Sequence, residues 1–275
     1  LAEEKTAADG TWQMSIPLGI LADVLPYMEG FEFDPEERQL QAPAADGVFI
    51  GYREPTRPGA TRQATCGYYH TLALDADGIV WAWGLNEWGA LGDGTTTDGP
   101  TPVRVVGLRN AVAVAAGFGH SLAVRRDGTV WTWGVNRRGE SGDGTKADRP
   151  APVQVVGLDN VIAVAAGGWH SVALKRDGTV WAWGRNEYGQ LGDGTLTDRS
   201  RPVQVVGLNN VVALAAGDWH SVALKRDGTI WTWGRNAGGQ LGDGTTTNKP
   251  SPVQVAGAGR ALAVAAGGSH SLSLM

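Results

Sequence analysis

The run Ala166-Gly167-Gly168-Trp169-His170-Ser171-Val172-Ala173-Leu174, continued by Asp177-Gly178-Thr179-Val180-Trp181-Ala182-Trp183-Gly184-Arg185-Asn186 and Gly189-Gln190-Leu191-Gly192, recurs along the chain at an interval of 50 residues. All five histidines, His70, His120, His170, His220 and His270, keep that interval, as do the pairs Trp81/Trp83, Trp131/Trp133, Trp181/Trp183 and Trp231/Trp233. No insertion breaks the register, so from Thr61 onward there are four full copies and the first third of a fifth. A strict repeat of this length marks an architecture in which each unit buries its apolar surface against its neighbours.

Within one unit, Ala111–Ala116, Ser121–Val124, Thr129–Trp133 and Pro152–Val156 are short apolar or β-branched runs separated by turns that carry glycine. Four strands per unit is the content of a propeller blade. Asp127-Gly128, repeated as Asp77-Gly78, Asp177-Gly178 and Asp227-Gly228, reads as a type I′ turn with positive φ at both residues, joining the second strand to the third. The near-continuous Ala/Val/Leu of the first strand implies burial on both faces. The paired tryptophans are read as pointing to opposite faces and filling the space between blades, in the same way in all four copies. The expected fold is all-β, a propeller of four-stranded blades.

Composition agrees. Glycine supplies 41 of 275 residues, so tight turns dominate, and a hydrophobic fraction of 42% is enough for a packed core. Charges sum to −5 and no basic tail is present, so nucleic acid is not an expected partner. The single cysteine, Cys66, can form neither an internal disulfide nor a zinc site. It occupies the slot of Ala116, Ala166, Ala216 and Ala266 and reads as a small buried residue. Apolar stretches such as Ala111–Ala116 are far shorter than the roughly 20 residues of a spanning helix, and membrane insertion is not expected.

Residues 1–60 do not share the period. Asp9–Pro17, Pro26–Pro35 and Asp46–Tyr52 read as short strands with turns between them, and Thr56-Arg57-Pro58-Gly59-Ala60 has linker composition. The organisation expected is a partial β-sandwich-like segment over 1–55, a linker over 56–60 and propeller repeats over 61–275.

The repeat resembles that of the regulator-of-chromosome-condensation (RCC1) family. That resemblance implies a β-propeller, usually of seven blades, and about four and a third copies lead to the expectation of a truncated ring, with a smaller ring as the alternative. Residues 1–55 are similar to the later strands of a carboxypeptidase-regulatory-like or Ig-like sandwich, a module often strung along secreted and surface-attached bacterial proteins. The function so implied is a non-enzymatic scaffold that binds a protein partner, within a longer extracellular or cell-surface bacterial chain. Inhibition of an enzyme by a propeller rim, as in a secreted β-lactamase inhibitor protein with this repeat, would be a special case. The alternative implied by the founding member is nucleotide exchange on a small GTPase with docking on chromatin. Against it, the uniform spacing leaves no room for the blade insertion through which that exchange factor contacts its GTPase.

The repeated histidines are expected to be structural, each imidazole bonding a turn or a carbonyl of the neighbouring blade. His-Ser dipeptides on a strand point their side chains to opposite faces, so they form no catalytic dyad. The Gly-Asp-Gly-Thr loops at 92–95, 142–145, 192–195 and 242–245 fit turn formation through the aspartate better than a calcium site. No phosphate loop, nucleophile elbow or metalloprotease helix occurs, and no cofactor, metal or catalytic residue is expected.

What varies between copies is more informative for binding. The pairs before each histidine (Tyr68-Tyr69, Phe118-Gly119, Gly168-Trp169, Asp218-Trp219) and the residues of the Asn-x-x-Gly turn (Glu87-Trp88, Arg137-Arg138, Glu187-Tyr188) differ from blade to blade. In an up-and-down blade the first-to-second and third-to-fourth connections emerge at the same end, so both sets share one rim. The expected partner-binding rim is therefore Tyr68, Tyr69, Trp88, Phe118, Arg137, Arg138, Trp169, Tyr188 and Trp219.

Overall fold

Each apolar run pairs with the next in sequence order, because Gly-bearing turns bring consecutive strands back antiparallel. The computed structural model describes residues 61–275 and, before them, the backbone of four short strands: β1 (Lys5–Thr6), β2 (Trp12–Ser15), β3 (Glu32–Asp34) and β4 (Gln39–Ala42). These four form an antiparallel sheet in the order β1-β2-β4-β3. Strands β2 and β3 fall inside two of the N-terminal runs read as strands; the third, Asp46–Tyr52, and the linker over 56–60 lie outside the described residues.

The repeats form four four-stranded antiparallel sheets and one of two strands. Blade 1 comprises β5 (Gln63–Cys66), β6 (His70–Leu74), β7 (Val80–Gly84) and β8 (Gly99–Arg104); blade 2, β9 (Ala111–Ala116), β10 (His120–Arg125), β11 (Val130–Gly134) and β12 (Arg149–Gln154). Blade 3 comprises β13 (Val161–Ala166), β14 (His170–Lys175), β15 (Val180–Gly184) and β16 (Arg199–Gln204); blade 4, β17 (Val211–Ala216), β18 (His220–Lys225), β19 (Ile230–Gly234) and β20 (Lys249–Gln254). Strands β21 (Ala263–Ala266) and β22 (Ser271–Leu274) complete the described chain.

The core lies between blades. Along β14, Val172 and Leu174 alternate with Ser171 and Ala173, so one face of blade 3 meets blade 4 and the other meets blade 2. Between blades 3 and 4, Val172, Leu174, Val180, Ala182, Leu191, Val205 and Leu208 close on Val211, Ala223 and the fully buried Trp233. Between blades 2 and 3, Leu122, Val124, Val130, Val155 and Leu158 close on Val161, Ala173 and the fully buried Trp183.

Five expectations need correction. The paired tryptophans do not point to opposite faces: Trp181 stands across from Ala173 and Trp183 across from Ser171, and residues two apart on a strand share a face, so both pack onto the preceding blade. Nor are the four copies equivalent. Trp133, Trp183 and Trp233 are fully buried, whereas Trp83 is only half-buried, because among the described residues no repeat blade precedes blade 1 to cover that face of β7. The Asp-Gly turns are not type I′. Positive φ is confined to Gly78, Gly128, Gly178 and Gly228, and Gly128 N donates to Arg125 O at 2.9 Å, which makes a type I turn followed by a left-handed glycine. The first strand is not buried on both faces throughout. Val112, Ile162 and Val212 are exposed, because each is the extra residue of a bulge; Val161 pairs with Lys175 and Ala163 with Leu174. Cys66 is exposed, unlike its half-buried counterpart Ala116, which sits in the core between blades 1 and 2.

These interfaces predict unequal tryptophans. Trp183→Ala removes a fully buried indole and should cost about 3–5 kcal/mol in denaturant unfolding. Trp181→Ala removes a half-buried one and should cost under half as much. Equal losses at the two positions would contradict the packing described.

Candidate functional site

The repeated histidines join blades. His70 Nε2 lies 2.8 Å from Ser121 Oγ, His120 Nε2 3.1 Å from Ser171 Oγ, His170 Nε2 2.8 Å from Ser221 Oγ and His220 Nε2 3.0 Å from Ser271 Oγ, each reaching 51 residues ahead. The fifth, His270, is exposed, since no blade follows it among the described residues. The Ser121, Ser171, Ser221 and Ser271 hydroxyls donate in turn to the carbonyls of Ala90, Glu140, Gln190 and Gln240 in the blade just left. A hydroxyl whose one hydrogen is so used can only accept from the imidazole, which fixes the Nε2–H tautomer. The partner is thus a serine hydroxyl of the following blade and not the expected turn or neighbouring-blade carbonyl; the carbonyl beyond the serine belongs to the histidine's own blade, because the serine bonds back across the interface. Because the two side chains of a His-Ser dipeptide face opposite ways, each dipeptide serves both of its neighbours. Ser121, Ser171 and Ser221 are fully buried, so none is presented as a nucleophile.

Burial drives these imidazoles towards neutrality, lowering His70 and His220 to about 4 and His120 and His170 to about 3. Their Nδ1 atoms have no hydrogen-bond partner, so a second proton would find no acceptor. Glycine is obligatory beside the ring: a Cβ on Gly117 would stand 2.3 Å from His120 Cε1.

A second repeated anchor holds the loops between third and fourth strands. Asn136 is fully buried; its Oδ1 accepts from Ser141 N at 2.9 Å, its Nδ2 donates to Thr145 Oγ1 and the Ala147 carbonyl, and its N donates to Asp148 Oδ1 at 2.8 Å. Asn86, Asn186 and Asn236 do the same in their blades. The sequence reading gave these asparagines and the serines no bonding role, although both recur at the repeat interval. The Asp of each Gly-Asp-Gly-Thr loop makes the turn: Asp143 Oδ1 accepts from Thr145 N at 2.8 Å and Asp143 Oδ2 from Arg149 Nε at 2.7 Å.

On these anchors the variable residues meet. The first-to-second connections bond to one another between blades, Phe118 N to Gly168 O at 3.1 Å and Gly168 N to Asp218 O at 3.2 Å. The third-to-fourth connections begin on them, with Leu85 N on Tyr69 O, Val135 N on Gly119 O and Arg185 N on Trp169 O. Tyr68, Tyr69, Trp88 and Trp169 therefore gather around Phe118, with ring centroids 5.2, 5.2, 5.6 and 4.7 Å away. Tyr68 and Tyr69 are each 52% exposed, and the others are half-buried. Tyr188 and Trp219 form a second cluster, rings 5.5 Å apart, with Arg185 over Trp219 and Arg235 over Tyr188. The Tyr68 hydroxyl donates to the Asp218 carboxylate, so the inner ends of blades 1 and 4 approach each other.

Arg137 and Arg138, expected on the same rim, join neither ring cluster. They are exposed and pair with Asp148 and, across the blade boundary, Asp198, both at 3.6 Å. Buried Glu140 stands where other copies carry Ala90, Gln190 and Gln240. Burial raises its carboxyl to about 7, and the charges of Asp148 and Asp198 add to the shift.

A family model described as RCC1-like domain matches residues 36–275 of this chain. Among solved structures, human WBSCR16 is similar at 27% identity over 81% of the chain, with a TM-score of 0.73. Prp20p of Saccharomyces cerevisiae is similar at 23% identity over 97%, also with a TM-score of 0.73. The chain spans 59% of the first and 64% of the second. The ectodomain of the Physcomitrella patens receptor kinase CR4 shares 17% identity over 94% of the chain and 54% of its own, with a TM-score of 0.51.

The histidine pKa values fix the sign of an acid effect. Each of the four is lowered from 6.5, so the stability it contributes is full above about 6.5 and is lost as pH falls towards 3–4. Glu140, raised from 4.5 to about 7, acts in reverse and gains stability between those values. Near pH 5.5 unfolding should therefore take up about three protons, rising towards about four in Glu140→Gln. Denaturant midpoints measured across this range check the count; stability that is flat from neutrality down to about pH 5 would contradict it.

Proposed function

The chain belongs to the RCC1-like domain family, and on that premise we propose that it is a non-enzymatic protein-interaction scaffold. Its binding surface is the rim carrying Tyr68, Tyr69, Trp88, Phe118, Trp169, Tyr188 and Trp219, with Arg137 and Arg138 at its margin. The observation that carries this reading is the contiguous aromatic surface around Phe118, built from variable residues on a framework of repeated hydrogen bonds. Large rings on a rigid base bind at small entropic cost, and Trp, Tyr and Arg are the residues in which binding energy concentrates.

On this reading the propeller stands in a longer, secreted or surface-attached bacterial protein, after a sandwich-like segment over 1–55 and a linker over 56–60. That context rests on the resemblance of the N-terminal segment to modules of such proteins. Prp20p, whose structure was described together with its binding to Gsp1p and histones, supplies the rival reading of a regulator of a small GTPase. At 23% identity its likeness concerns the fold.

Replacing Trp169 and Trp219 together with alanine should leave the unfolding midpoint closer to wild type than Trp183→Ala does, because both are half-buried loop residues. The same pair should weaken capture of the native partner by about 2 kcal/mol or more. Capture that survives the double substitution would overturn the rim assignment, and accelerated nucleotide release from a small GTPase by the wild-type chain would favour the exchange reading.

A further inference from the structure

Blade 1 departs from the others in one electrostatic respect. In blades 2, 3 and 4 the aspartate of the Gly-Asp-Gly-Thr loop is met by a cation from the fourth strand: Arg149 on Asp143, Arg199 on Asp193 at 2.8 Å and Lys249 on Asp243 at 3.2 Å. The residue at that position in blade 1 is Gly99, and Asp93 is held only by neutral donors, Thr95 N at 2.9 Å and Asn86 Nδ2 at 3.3 Å among them. The next carboxylate of the loop repeats the contrast. Asp98, Asp148 and Asp198 each accept from the asparagine N of their own loop, but only Asp148 and Asp198 also face a cation, Arg137 and Arg138. Glu187 is held by Arg185, and its counterpart Glu87 is exposed. Among the described residues, none of Glu87, Asp93 and Asp98 has a cation within ion-pair distance. Asp93 and Asp98 both bond Asn86, Glu87 follows it in the chain, and the next residue is Trp88, whose ring packs on Phe118 in the exposed aromatic surface.

The geometry points to blade 1 as the docking surface for an arginine- or lysine-bearing segment of a protein partner, whose cation takes the place that Arg149, Arg199 and Lys249 occupy on the other blades and whose stem lies on Trp88 and Phe118. This rests on the rim reading and names the chemistry of its partner. Two observations on separate elements converge on it. Carboxylates without a cation among the described residues call for positive charge, and the half-buried ring of Trp88, on the turn that Asn86 opens, together with that of Phe118 offers faces on which a guanidinium or ammonium stem stacks. Three equivalent loops in the same molecule already hold such a cation, so the loop conformation accepts one without rearrangement. A metal ion is a poor occupant, since among the described residues no three His, Cys, Asp or Glu side chains stand close enough to share one.

The test is binding of a short fluorescent peptide of alternating arginine and serine to the whole chain, beside the same peptide with glutamate for arginine, and beside spermine. Gly99→Arg supplies the missing cation from within; a Cβ there would stand 2.8 Å from Leu91 Cδ1, the movable end of a side chain, and blade 3 carries both Arg199 and Leu191 at the equivalent positions. Glu87→Ala with Asp98→Asn installs the residues of blade 4, where Asn248 Oδ1 keeps the bond to Asn236 N at 2.8 Å, and it stands should the first variant not fold. Salt-sensitive binding of the arginine peptide, lost about tenfold or more in each folded variant, is the expected result. Unchanged affinity in the variants, equal binding of the glutamate peptide, or spermine binding as tightly as the peptide would overturn it. The rim reading fails separately: if capture of the native partner is lost with Trp169 and Trp219 but unaffected by Gly99→Arg, the cation site falls and the rim stands.

Discussion

One backbone carbonyl in each blade ties it to the next. The carbonyl of Glu140 receives both the Ser171 hydroxyl and, at 2.7 Å, the Trp183 indole N–H of the following blade, while His120 bonds the same serine from behind. Ala90 and Gln190 do the same for Trp133 and Trp233. In a dry interface every one of these polar groups must find its partner or lose its solvation, so the serine, the histidine and the tryptophan are retained as a set. The glycine three residues before each histidine belongs to the set too, because the ring fills the space of its missing side chain. Neutral imidazole is a requirement of the arrangement, since a charged ring would be buried with one N–H unpaired.

That dependence explains what was legible in the sequence. A period of 50 residues announced blades, and the strand count followed from apolar runs between glycines. The topological argument also carried, because consecutive antiparallel strands must place alternate connections at one end. It therefore brought Trp88 beside Phe118 and Tyr188 beside Trp219 without any contact being known. Local backbone detail was less accessible. Whether Asp127 shares the positive φ of Gly128 depends on the number of loop residues, which pairing decides, and the bulge at Ile162 depends on a register that apolar composition does not encode. Partners distant in sequence were illegible for the same reason. Arg138 meets Asp198 across a blade boundary, and His120 meets Ser171, through packing of whole sheets. Identical repeats also conceal unequal burial: Trp83 and Trp183 sit in the same local sequence, and only the neighbouring blade distinguishes them.

The proposed binding surface and the framework divide the loops between them. Asn136 and its equivalents satisfy the backbone inside each loop, leaving the two positions after each asparagine free to vary. Substitution there changes surface chemistry without disturbing the interface below, so one architecture can carry different rims. The same division makes departures from the repeat informative. Gly99 in place of arginine and Glu140 in place of glutamine alter charge at positions where the fold itself accepts either residue.

The central claim is that neutral Nε2–H imidazoles bridge the blades. Nitrogen-15 NMR of the histidine rings, recorded from neutral to mildly acid pH, tests it most directly. The account predicts that His120 and His170 remain the neutral Nε2–H tautomer, with a slowly exchanging ring proton, well below the ordinary histidine pKa of about 6.5. Rings found as the Nδ1–H tautomer, or as imidazolium at mildly acid pH in the folded protein, would contradict it.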